Sequence, residues 1–124
     1  MGKCLMLIPL HTSKELGEDS VLAYDHLTLD RDYKLFSQIE VIEGCESKPT
    51  IKTQPIPPQM WVTIYKDEGQ QNTRTDSYDN ELTFVYAKEL KKIKLSEDVS
   101  VRNRAIKAFV DALPDDIPII LYWK

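Results

Sequence analysis

Three groups of side chains in this sequence are of types that can do chemistry. The first is Asp25-His26, followed by Asp30 and Asp32. An imidazole beside carboxylates can act as a general base or as half of a metal site. The plainer account puts His26 on the exposed face of a strand and uses the aspartates to start a helix. The second group is His11, His26 and Cys45, soft ligands of the kind zinc takes. A catalytic zinc centre needs three converging ligands, and these lie on separate segments with no characteristic spacing. Cys45 as a nucleophile is disfavoured by the adjacent Glu46, since a neighbouring carboxylate opposes the thiolate. The third group is Tyr65, Arg74, Asp76 and Tyr78, in and beside a long polar segment. Tyrosine and arginine recur at protein-binding hot spots. Of the three, this one is preferred, as a partner-binding surface.

The common catalytic signatures are missing from the sequence. The four glycines, Gly2, Gly17, Gly44 and Gly69, are too scattered for a phosphate-cradling loop. There is no HExxH, GxSxG or paired-cysteine pattern. The expectation is therefore a protein without a cofactor or metal, leaning away from enzymatic activity. The alternative is a small hydrolase or metal-dependent enzyme using Asp25, His26, Asp30 and Asp32.

The elements that must position these groups can be read from periodicity. Residues 4–10 are a continuous apolar run, as in a strand covered on both faces. Val21 to Leu29 alternates as a second strand, interrupted by Asp25. Asp30 is expected to cap a helix carrying Tyr33, Phe36 and Ile39 on one face. Residues 40–59, punctuated by Pro49, Pro55, Pro57 and Pro58, read as an extended surface crossing. Trp61 to Tyr65 and Glu81 to Ala87 read as strands that pair as a hairpin. Residues 66–80 then form a long polar tip, spare to the core. Lys88 to Leu95 reads as a helical turn or two, or an edge strand. Ser96 or Asp98 caps the clearest helix, with Val99, Ile106, Phe109, Val110 and Leu113 as its apolar stripe. Residues 117–123 are almost wholly apolar, so that strand belongs inside a sheet, with Pro118 near its start.

The order is thus β-β-α-β-β-α-β. It predicts an α+β domain over residues 1–124, a single, mostly antiparallel five-stranded mixed sheet with two helices on one face. A chain of 124 residues is one domain by length.

Charge narrows the partners. Sixteen basic and twenty acidic residues give a net charge of -4, too small and mixed for a nucleic-acid binder. Residues 1–50 lean acidic and residues 88–107 lean basic, and either this asymmetry or an exposed sheet edge could bring two copies together as a homodimer. No run approaches the roughly 18 apolar residues of a membrane span. Two unpaired cysteines and no secretory leader point to the cytoplasm. The expected partner is another protein, with neither membrane nor nucleic acid involved.

The stretch Asp30-Arg-Asp-Tyr-Lys-Leu-Phe36 resembles a recurring segment of small phage and prophage proteins. In those, an opening Met-Gly strand precedes Asp-Arg-(Asn or Asp)-Tyr-x-Leu-Phe, and a proline-rich crossing follows. Here Met1-Gly2, Asp30 to Phe36 and Pro49 to Pro58 stand in that order, over about half of the chain. The chain departs from the pattern at Lys3-Cys4-Leu5-Met6, where Cys-Asp-x-His often follows the Met-Gly. The resemblance implies a mobile-element origin, and a modulator of a host system is one form of the protein-binding expectation. It implies no catalytic residues.

Overall fold

The structure is a computed structural model that describes residues 3–10, 20–22, 27–44, 48–66 and 69–124. Its strands are β1 (Leu5–Pro9), β2 (Ser20–Leu22), β3 (Gln54–Pro55), β4 (Trp61–Lys66), β5 (Gly69–Thr73), β6 (Thr83–Tyr86) and β7 (Pro118–Trp123). Its helices are α1 (Tyr33–Phe36), α2 (Ala87–Leu90) and α3 (Val101–Ala112). The fold is α+β, but the strands form two sheets rather than one. Four pair antiparallel in the order β1-β7-β6-β3, and three form a second sheet in the order β2-β4-β5.

The first sheet is the middle of three layers. Leu5, Leu7, Val85, Ile119, Leu121 and Trp123 point to one face, where Leu35, Phe36, Leu90, Ile106 and Val110 of the helices cover them. Met6, Ile8, Phe84, Ile120 and Tyr122 point to the other, where Val62 and Ile64 of β4 cover them. Double coverage is the reason β1 and β7 are apolar at every position, since neither face can carry polar side chains without losing burial. As expected from its composition, β7 lies inside its sheet and starts at Pro118.

The expected hairpin does not form. β4 pairs with β5, and β6 pairs with β7 and β3. Residues 69–73 of the polar tip are therefore a strand, held in register from Val62↔Thr73 to Lys66↔Gly69. β5 is exposed from Gly69 to Asn72 and polar throughout, so it carries no hydrophobic alternation by which a sequence could betray it. The expected strand over residues 21–29 is split as well. Ser20–Leu22 pairs parallel with β4, while Thr28 bridges Met6 at the rim of the other sheet.

The helix starts also differ from expectation. Asp32 caps α1, its carboxylate accepting from the Leu35 N–H at 3.1 Å. Ser100 caps α3, its hydroxyl accepting from the Asn103 N–H at 3.1 Å. Residues 97–98 form a turn instead of helix, because Ser96 is spent on Asp98 at 2.6 Å. Asn103 sits on the buried face of α3 among apolar neighbours, 1% exposed. Its side-chain amide accepts from the Asp30 N–H at 2.7 Å and donates to the Asp30 carbonyl at 3.0 Å. These two bonds satisfy the amide as a neighbouring strand would.

Candidate functional site

A cleft of about 480 Å³ opens at one end of the first sheet, lined by Lys3, Tyr33, Val41, Ile42, Glu43 and Tyr78. Each wall has a local cause. Tyr33 is the first residue of α1, on its outward side, while Leu35 and Phe36 turn into the core. Val41 and Ile42 follow directly on the turn that ends α1, where the Ile39 and Glu40 N–H groups still donate to the Phe36 carbonyl.

The opposite wall is a turn organised by Asp76. That buried carboxylate accepts from the Tyr78 N–H at 2.8 Å and the Asn80 N–H at 3.2 Å. Asp79 takes the left-handed conformation there, with φ 64°. A short polar side chain tolerates that geometry better than most. The Ser77 N–H donates to the Trp123 carbonyl at 3.0 Å, which pins the turn to the end of β7.

The floor joins the two walls. The Tyr33 and Phe36 rings meet edge-on at 6.3 Å, and the Phe36 and Trp123 rings at 5.3 Å. The Lys3 ammonium lies 5.0 Å from the Trp123 ring centre and 5.1 Å from that of Tyr78. Edge-to-face rings and a cation over π faces are both attractive contacts. Glu40 pairs with Lys3 at 2.5 Å and offsets its charge. The result is a groove of amphipathic rings with exposed Val41 and half-buried Ile42 on one lip. Tyr33 is 38%, Tyr78 40% and Val41 75% exposed.

A second cleft, of about 350 Å³, shares Tyr33 and is otherwise polar, lined by Arg31, Asp32, Lys34, Asp98, Ser100 and Asn103. Lys34 and Asp98 approach to 3.8 Å across it. Asp98 is held below the usual carboxylate range, first by the hydrogen bond from Ser96, then by its own backbone N–H and by Lys34. These charges balance one another locally.

The four residues read as a partner surface separate in the structure. Tyr78 forms a wall of the cleft, and Tyr65 lies on β4, 65% exposed, in the other layer. Arg74 and Asp76 are used inside the molecule. The Arg74 guanidinium donates to the Pro57 carbonyl at 2.8 Å, to the Met60 carbonyl, and to Glu81 at 3.0 Å. It clamps the approach to β4 onto the return towards β6. Arg74→Met is expected to destabilise the fold by about 2 kcal/mol, because the carbonyls of buried Met60 and half-buried Pro57 lose a charged donor. Urea denaturation measures this, and a clamp role predicts the loss with no partner present.

The alternative catalytic group is only partly described. Asp25, His26, His11 and Cys45 lie outside the described residues. Asp32 is engaged as the α1 cap, and Asp30 is exposed with its backbone held by Asn103. Among the described residues, no group of three or more His, Cys, Asp or Glu side chains is placed to hold a metal ion. No helix among them is long and apolar enough to cross a membrane.

Sequence reasoning missed Lys3, Val41, Ile42 and Glu43 as lining of this cleft and assigned Tyr33 to the core. The signal available was Val41-Ile42, an apolar pair just past a helix with no period to bury it. No protein-family model, curated protein or solved structure matches this chain.

Proposed function

We propose that this protein is a non-catalytic protein-binding module, and that its docking surface is the groove between Tyr33 and Tyr78. The observation that carries the reading is the continuous run of contacts from Tyr33 through Phe36, Trp123 and Lys3 to Tyr78. Rings fixed in this way lose little freedom when a partner arrives, so their burial goes into affinity. Tyrosines flanking the exposed Val41 suit a segment offering an apolar anchor, with hydrogen bonds to the hydroxyls at the edge. Glu43 on the lip suits a basic neighbour of that anchor. A modulator of a host system, carried on a mobile element, is one form this role takes.

The test is a comparison of variants against the partner that the wild-type protein retains. Val41→Asp and Tyr78→Ala are each expected to weaken binding by about tenfold or more, as hot-spot losses do. Val41 is exposed, so its change should scarcely move the melting temperature, while Tyr78→Ala gives up the Lys3 contact and should lower it slightly. Tyr65→Ala, in the other layer, should bind normally. A partner held equally well by the Val41→Asp/Tyr78→Ala double variant would remove the groove from consideration. Deleting residues 70–77 is not a clean test, because it takes away β5 and the Arg74 clamp together.

A further inference from the structure

The sheet edges are treated unequally. The outer edge of β1 is covered, since Thr28 bridges Met6 and the Leu29 N–H donates to the Leu5 carbonyl at 2.8 Å. The outer edge of β3 is only two residues long and includes Pro55, with Pro57 and Pro58 just beyond. Prolines and short length are standard defences against strand addition. β5 has neither. It runs five residues, Gly69-Gln-Gln-Asn-Thr73, with no proline and no charge, and among the described residues no strand lies beyond it. In an antiparallel ladder alternate residues turn their N–H and C=O groups away from the partner strand, so β5 presents an open row.

We propose that β5 is a self-association edge. Two copies of the chain pair β5 with β5 antiparallel about a two-fold axis through Gln71, joining the three-stranded sheets into a six-stranded one. The strand is self-complementary in that register. Gln71 meets Gln71 of the second copy, and Gln70 meets Asn72. Thr63 already donates to the Asn72 side-chain carbonyl at 2.8 Å, on the same side as Tyr65 and Gln70. That bond orients the Asn72 amide and leaves its N–H groups for Gln70 of the other copy. An uncharged seam also lets two copies that each carry -4 meet without like charges face to face. Five residues a side bury little area, so the expected affinity is micromolar rather than nanomolar.

The two-fold axis sets the test. Gln71→Lys places each new ammonium against itself, as Gln71→Glu does with carboxylates, and each variant alone should dimerise about tenfold or more weakly than wild type. Both substitutions are at an exposed position, so circular dichroism and thermal melts should match wild type. Mixing the two variants should restore association as a heterodimer, seen by sedimentation velocity, and salt should weaken that mixture but not the wild-type dimer. The proposal is overturned by a wild-type chain that stays monomeric at high concentration, including one that instead binds a foreign strand. It is equally overturned by a dimer that neither variant weakens, or by a mixture that fails to recover. Tyr78→Ala, in the groove, should dimerise normally, so this result stands apart from the fate of the groove reading.

Discussion

Replacing Trp123 with alanine is expected to lower the unfolding free energy by about 4 kcal/mol, within the range for large aromatic-to-alanine changes in a core. Trp123 is buried at the end of β7, opposite Leu5 in the ladder. It touches Phe36 edge-on and carries the Lys3 ammonium over its face. Its removal leaves a void bounded by strand on one side and α1 on the other, neither of which can close without shifting the turn at Ser77. For a domain whose total stability is roughly 5–15 kcal/mol, this is a large fraction. Urea denaturation measures the loss. Trp123→Phe should recover about half of it, because most of the ring contact returns. Trp123→Ala should also loosen the groove, since Lys3 then loses one of its two rings. A Trp123→Ala protein as stable as wild type would mean that the floor of the groove is not held as described.

Asn103→Ala is expected to cost about 2–3 kcal/mol. The amide makes two hydrogen bonds to the backbone of Asp30, across seventy-three residues of chain. Arg102 adds a bond from its Nε to the Thr28 carbonyl at 2.6 Å. Together the first turn of α3 holds residues 28–30 against the rim of β1. The isosteric Asn103→Asp discriminates hydrogen bonding from packing. It keeps the acceptor for the Asp30 N–H but sets a carboxylate oxygen against the Asp30 carbonyl in a buried site. It should therefore cost at least as much as alanine at neutral pH. Burial and that carbonyl would raise the pKa of the new carboxyl in the folded state above its unfolded value. The folded state then binds the proton more readily, so this variant should gain stability relative to wild type as pH falls through the raised value. Urea midpoints for both proteins from neutral to acid pH check the sign. Parallel curves would mean that the side chain serves only to fill space.

Several elements were legible in the sequence because their burial leaves a pattern. The unbroken apolar run of β1 announced a strand covered on both faces, that of β7 a strand inside its sheet, and the stripe of Ile106, Val110 and Leu113 announced α3. Residues 88–95 could be read only as a helical turn or two or an edge strand; the structure makes their start the end of α2, with Leu90 and Ile93 inside. Pro118 at the start of β7 followed from its missing N–H. What could not be read was anything without a hydrophobic period. β5 is polar on every side, so its segment resembled a loose tip. Asn103 is one amide among apolar residues, and nothing local reveals that a distant backbone satisfies it. Arg74 and Asp76 read as partner-binding residues, but the same polarity serves an internal clamp and turn as readily as a surface.

The sequence by itself determined which segments had to be buried, because apolar spacing is a local property of the chain. It could not determine which strand pairs with which. The choice of β4 with β5, and of β6 with β7, depends on which pairing lets the central sheet be covered on both faces at once. That condition exists only when all three layers are assembled. The same is true of the groove, whose walls come from residues 3, 33, 41–43 and 78 and meet only because β1 and β7 end side by side.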